Sequence, residues 1–553
     1  MSRRRQHPVG GRSEHAPVGF PRGTGSGTCA GFRHGTGETR LCSLVSKDRR
    51  YKPMVKSGGA QRESDGVVVP RIAVSSAVGG KGPDFGHARG GGKRGGMAGT
   101  ARSNNPGGQS RPVVGGARLR PGVGAVRELQ RKLWAAAKQS SGRRFHALYD
   151  RIHRDDVLVE AWERVRANRG AAGVDKITLA VVEEYGVDRM LCELRDDLQR
   201  GSYRPSPVRR VEIPKPDGRR RPLGIPTVRD RVAQQAAKIV LEPVFEADFL
   251  PVSFGFRPRR STTDALEQIR VAFPRGQQFV FEADIRDFFG QIDHDRLMGL
   301  VEARISDRRV LGLLRSWLRA GVMVDGAYAE TVSGAPQGGV ISPLLANVYL
   351  HAFDRAFTEH GVGELVRYAD DFVVLCSTRQ QAEQAQQRAR ALLGGLGLGL
   401  HPDKTRVVDL REGREGFDFL GCHLHARMSG RLWEQRGIVR YYLHRWPSAR
   451  NMKRVRAKVK VMTDRRRVGM ELADVIAGLN LFLRGWGVHF RTGNASQKFR
   501  QLDRYVAWRL KRLLIKKRGR NLRAGQADRW TEAWFHDQGL HKLLGTIRYP
   551  KAA

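Results

Sequence analysis

One short stretch of the chain decides the fold, and it reads Leu365-Val366-Arg367-Tyr368-Ala369-Asp370-Asp371-Phe372-Val373-Val374-Leu375. Apolar, β-branched and aromatic residues flank two adjacent aspartates, a pattern that predicts a tight β-hairpin with the aspartates at its tip. Adjacent carboxylates repel each other, so we expect a cation to hold them in such apolar surroundings. An ordinary solvated turn is the alternative. Other parts of the sequence are needed to distinguish a cation site from such a turn.

A third carboxylate occurs in the same pattern at the end of a predicted buried strand, Phe279–Ile285, where Asp284 precedes further aromatic residues. If this strand neighbours the hairpin in one antiparallel sheet, Asp284, Asp370 and Asp371 converge on one face. Such a set suits two hard cations about 4 Å apart, which activate an attacking hydroxyl and stabilise a leaving pyrophosphate. The residues therefore favour a nucleotidyl transferase.

The charge of the chain indicates a polyanionic partner, either nucleic acid or an anionic membrane surface. The formal net charge is +44 and the pI is about 11.1, far beyond what solubility requires. Counting Lys and Arg against Asp and Glu gives +16 in residues 1–124, +5 in 125–426 and +23 in 427–553. No run of about 18 apolar residues occurs, so the sequence predicts no membrane span. The aspartates thus lie in a nearly balanced segment that a basic module follows.

The composition divides the chain into three parts. Residues 1–124 hold 28 of the 65 glycines and show no periodicity, so we expect either a disordered basic extension or a reading frame that was begun too early. Residues 125–426 alternate predicted strands and helices. Residues 427–553 carry predicted amphipathic helices at about 449–464, 471–490 and 496–518. The five cysteines are scattered without a CxxC pair, which predicts a reducing, cytoplasmic location and no structural zinc site.

The basic helices have the composition of a nucleic-acid-binding module. Lys453, Arg454 and Arg456 load the first helix with positive charge, and aromatic residues interleave with the basic ones, as expected for RNA binding. These aromatic residues are Trp446, Trp486, Tyr505 and Trp508. Packing between helices is the alternative interpretation, and we expect it to apply to most of the four.

These motifs, taken in order, resemble those of bacterial group II intron-encoded reverse transcriptase/maturases over roughly residues 126–553. The segments similar to the seven reverse-transcriptase blocks are Ile213–Arg221 with Gly224–Pro226, Ser253–Pro258, Ala283–Phe289 through Asp293 and His294, Ala335–Pro343, Tyr368–Asp371, Gly397–Thr405 and Phe417–Gly421. Leu479–Trp486 resembles the signature of the maturase domain. The resemblance implies an α+β right-hand polymerase, with fingers and an antiparallel palm sheet in 125–426 and a helical thumb/maturase domain in 427–553.

The resemblance also implies roles for individual residues. Asp284 and Asp370 match the ligands of two Mg²⁺ ions, and Asp371 matches the third acidic residue. Arg484 and Trp486, within the maturase signature, are expected to bind RNA together with the basic helix residues. The implied active site is therefore the carboxylate set that the strand pattern had already indicated.

The resemblance also implies that a further set of residues binds the incoming dNTP. Lys215 and Arg221 match triphosphate-binding positions, although a basic turn of this kind can also be simply solvated. Gln337 lies in the loop that faces nucleotide and template. Phe289 matches the aromatic position that discriminates between sugars, because a ring there clashes with a 2′-hydroxyl. Lys404 is a candidate general acid for the leaving pyrophosphate, with a surface turn lysine as the alternative.

We therefore expect an RNA-directed DNA polymerase that copies intron RNA into cDNA and binds the same RNA as a maturase. Its expected partners are intron RNA, a DNA primer or target and dNTPs, and a homodimer is left open. Residues 520–553 contain no cysteine and only two histidines, His536 and His541, so no endonuclease is expected and the primer must come from another source. The alternatives are a catalytically idle RNA-binding splicing factor and a reverse transcriptase domesticated for phage defence.

Overall fold

The computed structural model describes residues 123–214, 220–324, 327–330, 334 and 337–550. The predicted extension up to residue 122 and the basic turn at 215–219, including Lys215, lie outside these ranges. The α-helices are α1 Val123–Gln139, α2 Tyr149–Ile152, α3 Asp155–Ala167, α4 Leu179–Tyr185, α5 Val187–Arg200, α6 Val228–Glu246, α7 Thr262–Ala272, α8 Phe288–Gln291, α9 His294–Glu302, α10 Arg308–Leu318, α11 Ser342–Thr358, α12 Arg379–Gly395, α13 Gly430–Arg436, α14 Ala449–Met462, α15 Leu472–Phe490, α16 Ser496–Arg518 and α17 Glu532–Asp537. The strands are β1 Val208–Pro214, β2 Arg220–Ile225, β3 Phe279–Asp284, β4 Val322–Val324, β5 Ala327–Ala329, β6 Glu364–Tyr368, β7 Asp371–Cys376, β8 Arg406–Asp409, β9 Gly416–Phe419, β10 Cys422–Met428 and β11 Tyr441–Pro447.

The sheet that carries the aspartates has the strand order β6-β7-β3-β8, and all its strand pairs are antiparallel. β6 and β7 form the predicted hairpin, in which Tyr368 pairs with Asp371. β3 lies on the other side of β7, and its register places Asp284 directly opposite Asp371. The condition set by the sequence, that the two strands be neighbours, is therefore met.

Both faces of this sheet are buried, which explains why its strands are apolar almost throughout. Phe372, Val374 and Cys376 of β7 pack into a core shared with the helices α1, α3, α6, α11 and α12. Val373 and Leu375 pack into a second core that includes α7 and the C-terminal helices α14–α16. Side chains alternate between the two faces of a strand, so the residues of β7 after Asp371 contribute in turn to one core and the other.

Helix starts follow the capping chemistry of the sequence. The Thr227 hydroxyl accepts a hydrogen bond from the Asp230 backbone N–H and caps α6. Ser261 and Asp264 form a reciprocal capping box at α7, as their spacing predicts. The pair Ser342-Pro343 predicts a helix with Ser342 as its N-cap and Pro343 as its first residue, and this prediction is wrong by one residue: Ile341 is the N-cap of α11, and Ser342 and Pro343 are its first two helical residues.

Two further sheets flank the sheet that carries the aspartates. β1 and β2 form an antiparallel hairpin, and β4 joins β1 in parallel to give the order β2-β1-β4-β5. The third sheet, β11-β10-β9, connects to the C-terminal helices. The predicted domain boundary at residue 426 falls inside β10, and the first C-terminal helix after this sheet, α14, begins at Ala449. Within the described ranges, no helix has the length and apolar character needed to cross a membrane.

Candidate active site

The three predicted carboxylates lie at the same end of the sheet. Asp284 is the last residue of β3, Asp371 is the first residue of β7, and Asp370 lies in the turn before it. The Ile285 backbone N–H donates to the Asp370 carbonyl oxygen over 3.3 Å, which ties the end of β3 to this turn. Asp284 is buried with 9% of its surface exposed, whereas Asp371 keeps contact with solvent although protein surrounds much of it. The three aspartates therefore lie together at one end of the sheet, with Asp371 open to solvent.

The electrostatics of these carboxylates show a deficit of positive charge. Burial raises the pKa of Asp370, and the charge of Asp284 raises it further. Burial also raises the pKa of Asp371, as do a hydrogen bond with Asp284 and the charges of both other aspartates. Lys404 donates a hydrogen bond to the Asp284 carboxylate from the short helical turn Pro402–Lys404. Its ammonium group offsets part of the negative charge, and the side chain stays 53% exposed.

The donor set fits a hard divalent cation in its chemistry. The converging groups are carboxylates, whose oxygens Mg²⁺ prefers, and the pKa values of Asp370 and Asp371 are raised by burial first and by neighbouring negative charge second. In the described part of the chain, no three His, Cys, Asp or Glu side chains surround a common position closely enough to bind a metal ion as they stand. Holding a cation between them would thus require the carboxylates to adjust, starting with the Asp284 oxygen that contacts Lys404.

Strand β2 carries one of the predicted nucleotide-binding residues, Arg221, and the loop of a second one, Gln337, docks on the same strand. Arg221 is exposed on β2, and its charge opposes the rise in the pKa of Asp370, so its guanidinium group is within electrostatic reach of that carboxylate. The Gly224 backbone N–H donates to the Gln337 carbonyl oxygen over 2.7 Å and docks the Gln337 loop on the same strand. A Cβ on Gly338, whose φ is +121°, would lie 2.5 Å from the Gly224 oxygen. Close backbone approach therefore holds Gln337 beside β2.

Phe289 lies on α8, immediately beyond the strand that ends in Asp284. Its ring is half-buried and packs edge-on against Phe288, with ring centroids 5.2 Å apart. The loop at Gly334 passes close to the backbone of Phe289, because a Cβ at Gly334 would lie 2.8 Å from the Phe289 carbonyl oxygen. The backbone of Phe289 is thus closely packed, and part of its side chain remains accessible.

The C-terminal helices present the predicted basic surface. Lys453, Arg454 and Arg456 are exposed on α14, and we call these three residues the α14 basic face. Arg484 is exposed on α15, whereas Trp486 is half-buried and packs 4.7 Å from Phe490 and 5.7 Å from Phe499. Most of the Trp486 ring therefore packs against other helix residues, as the alternative interpretation of the aromatic residues predicts. Trp508 is instead 47% exposed, with the Arg512 guanidinium 4.9 Å from its ring centroid.

The sequence interpretation missed a polar face of the third sheet. His423 and His425 of β10 lie beside Trp446 of β11, with ring centroids 5.3 and 6.2 Å from the indole, and the Arg427 guanidinium lies 4.8 Å from the same indole. We call these four residues the ring face. It begins near β3, because the charge of His423 acts on the half-buried Glu282 carboxyl. The strict apolar–polar alternation of Cys422–Met428 was a signal that could have revealed the strand.

Family models match within the second and third parts of the chain, residues 125–426 and 427–553. The model described as reverse transcriptase (RNA-dependent DNA polymerase) matches residues 213–424, which include all three aspartates. The model described as group II intron, maturase-specific domain matches residues 452–531. The class is therefore a reverse transcriptase followed by a maturase-specific domain.

Relatives agree with this class. Protein YkfC of Escherichia coli (strain K12) is 35% identical over 357 residues, which are 57% of this chain and 91% of YkfC. Group II intron-encoded protein LtrA of Lactococcus lactis subsp. cremoris is 40% identical over 214 residues, 38% of this chain and 35% of LtrA. The putative COX1/OXI3 intron 2 protein of Saccharomyces cerevisiae is 33% identical over 202 residues, 36% of this chain and 23% of that protein.

The chain belongs to the family of group II intron-encoded reverse transcriptase/maturases. It has the RNA-directed DNA polymerase and maturase roles of that family, whose polymerases use divalent metal ions. Nucleic acid, RNA in particular, is its partner. The alignment covers about a third of LtrA, so we treat the identity of the RNA and DNA substrates of this chain as a proposal.

Proposed function

We propose that this protein copies group II intron RNA into cDNA by two-metal nucleotidyl transfer and binds the same RNA to assist its splicing. The single observation that carries the proposal is the convergence of Asp284, Asp370 and Asp371 at one end of the central sheet. Residues 125–426 would be the fingers and palm of a right-hand polymerase. The helices that follow would be its thumb and maturase domain.

In this mechanism the three aspartates hold the metal ions and so orient the reacting groups. When bound, Mg²⁺ would lower the pKa of the primer 3′-hydroxyl and stabilise the leaving pyrophosphate. Lys404 neutralises Asp284 before the substrates arrive, and its exposed ammonium group is also the candidate proton donor to the pyrophosphate. The raised pKa values of Asp370 and Asp371 support cation binding, because a cation relieves their mutual repulsion.

The dNTP would lie between the β1–β2 hairpin and the aspartates. Arg221 would bind the triphosphate, and its electrostatic reach to Asp370 supports this role. Lys215, which follows β1 in the sequence, would add a second positive charge. Gln337, docked on β2, would contact the nucleotide and template, and the accessible side of Phe289 would exclude a 2′-hydroxyl.

The RNA would extend from the three aspartates over the C-terminal helices. The α14 basic face and Arg484 would contact its phosphates, and Trp508 with its neighbouring guanidinium groups offers an exposed stacking surface. Trp486 would support this surface from within the helical core. The ring face would guide the strand nearest Glu282 and Asp284.

Primer extension on an RNA template tests the polymerase proposal. The wild-type protein should incorporate dNTPs with Mg²⁺, and Asp284→Asn should abolish incorporation while its affinity for the RNA stays within about twofold, because the α14 basic face and Arg484 are unchanged. Failure of the wild type on intron RNA and on generic templates, with RNA binding intact, would instead favour the idle splicing factor.

RNA binding at several salt concentrations tests the thumb surface. Replacing all three residues of the α14 basic face by Gln should lower the slope of log K against log [salt] by about 2 to 3, if each residue neutralises one phosphate. A triple Gln variant of Arg355, Arg379 and Arg390, exposed on α11 and α12, removes the same charge elsewhere and serves as the control. Equal slopes for the two variants would contradict a localised contact.

A further inference from the structure

Arg367, three residues before Asp370, is a charged residue at the centre of the protein. None of its surface is exposed. Its guanidinium group donates to both carboxylate oxygens of Asp354, over 2.6 and 2.5 Å, and to the Asn347 amide oxygen over 3.2 Å. Both partners lie on α11. The guanidinium group is therefore anchored to a long helix that packs under the central sheet.

The remaining hydrogen bonds of Arg367 reach toward the aspartate turn. One nitrogen donates to the Ser253 hydroxyl over 2.9 Å, and another donates to the carbonyl oxygen of Ala369 over 3.0 Å. Ala369 has a φ of +58°, a left-handed conformation that costs an alanine about 1 to 2 kcal/mol. Such a conformation persists only where the surroundings enforce it. The Arg367 hydrogen bond holds the peptide group that directly precedes Asp370.

The loop of the second sequence block supports the same turn from the other side. The Phe254 backbone N–H donates to the Arg367 carbonyl oxygen over 2.9 Å, and the Asn347 amide donates to the Gly255 carbonyl oxygen over 2.9 Å. A Cβ on Gly255 would lie 2.4 Å from the Ala369 backbone nitrogen, which no side chain can tolerate without a shift of the turn. The sequence favours core anchoring for both rings of this loop, and this is confirmed for Phe254, with 3% of its surface exposed, but wrong for Phe256, which is 39% exposed.

We propose that Arg367 and Gly255 are positioning residues for the metal site. Together they clamp the Ala369 peptide between α11 and the loop at Ser253–Gly255 and thereby set the direction of the Asp370 carboxylate. The second sequence block, Ser253–Pro258, would thus position Asp370 in addition to packing in the core. The inference rests on the proposed function, since it assumes that Asp370 binds a metal ion.

A purely structural role for Arg367 is the competing explanation, and a double variant separates the two. Loss of Arg367 alone would leave the Asp354 carboxylate buried and unpaired, which destabilises any protein. Arg367→Met combined with Asp354→Leu removes both charges and retains similar volume, so the fold should be preserved. The double variant has nonetheless lost the hydrogen bond to Ala369.

Gly255→Ala perturbs the clamp independently, because it pushes on the Ala369 peptide while leaving Arg367 intact. Gly142→Ala is its matched control, since Gly142 also lies in a loop and a Cβ there meets nothing within 4 Å. The readouts are Mn²⁺ affinity by electron paramagnetic resonance, the Mg²⁺ midpoint of single-nucleotide incorporation, the melting temperature and RNA affinity.

We expect the double variant and Gly255→Ala to bind Mn²⁺ at least about tenfold more weakly, as is typical when supports of metal ligands are removed. Their Mg²⁺ midpoints should rise in parallel, with RNA affinity within twofold of wild type and with the melting temperature of the double variant within about 4 °C. Gly142→Ala should resemble the wild type in every measurement.

Unchanged Mn²⁺ affinity and Mg²⁺ midpoint in the folded double variant would overturn the inference. If the double variant does not fold, the same result for Gly255→Ala overturns it. Failure of the proposed function looks different: the wild type itself would then show no Mn²⁺ binding that Asp370→Asn removes.

Discussion

Gly338 connects the predicted nucleotide loop to strand β2, and Gly338→Ala should weaken nucleotide use strongly. Its φ of +121° is in a region that L-residues rarely adopt, which costs about 1 to 3 kcal/mol. The new Cβ would also lie 2.5 Å from the Gly224 carbonyl oxygen, and this neighbour is backbone that cannot rotate away. The loop must therefore separate from β2, and the hydrogen bond from Gly224 to Gln337 is lost.

The expected decrease in kcat/KM for dNTP follows from these energetic costs. If about 1.4 to 3 kcal/mol of strain is relieved by displacing Gln337, kcat/KM for dNTP falls by about 10- to 100-fold, since each 1.36 kcal/mol corresponds to a factor of ten. Most of the change should come from a higher KM for dNTP, because the aspartates on the other strands are untouched. The assay is single-nucleotide incorporation at varied dNTP concentration on an RNA template with a DNA primer.

The control is Gly361→Ala, which also places alanine at positive φ, +62°, but whose Cβ meets nothing within 4 Å. This variant should lose stability slightly and leave the KM for dNTP unchanged. If Gly338→Ala showed the kcat/KM of the wild type within twofold, the loop would not position Gln337 for the nucleotide, and the reasoning would be wrong.

Further predictions concern the sugar, acid stability and RNA. Phe289→Val should raise incorporation of ribonucleotides relative to deoxynucleotides by at least about tenfold, measured with matched rNTP and dNTP pairs, because the ring that meets the 2′-hydroxyl is shortened. Burial lowers the pKa of His351 to about 4, so the protein loses stability as the pH falls from 6.5 towards 4. His351→Gln should remove about 2 kcal/mol of the loss between pH 7 and pH 5, measured by urea unfolding; an unchanged pH dependence would refute this. Trp508→Ala should weaken RNA binding by about 1 to 3 kcal/mol if a base stacks on the exposed indole, and fluorescence anisotropy would measure the change.

Much of the central sheet could be predicted from the sequence, because its signals are local. The aspartate hairpin follows from two apolar runs around a polar tip, and β3 follows from the run Phe279–Ile285. Their pairing was stated only as a condition, since no local pattern specifies which strands become neighbours. The observed register, with Asp284 opposite Asp371, depends on the packing of both faces of the sheet.

The features that were missed have one long-range cause and two local ones. Arg367 reads as a polar residue in a strand, and its burial becomes understandable only with Asp354, thirteen residues earlier on α11. The ring face was overlooked because Arg, His and Trp near residue 427 were interpreted as the start of a helical module, although the residues of β10 alternate strictly between apolar and polar. Ser342 fits a helix cap by sequence, but α11 begins one residue earlier than that placement requires.

The central claim is that Asp370 and its two neighbours hold the metal ions that drive dNTP transfer on an RNA template. Single-turnover incorporation with Mg²⁺ tests it most directly when Asp370→Asn is compared with Asp403→Asn, a change at an aspartate whose side chain is 83% exposed beside Lys404. The account predicts that Asp370→Asn lowers the rate by at least about a thousandfold, or about 4 kcal/mol, while Asp403→Asn retains the wild-type rate and both bind RNA normally. A rate for Asp370→Asn within tenfold of wild type would contradict the account.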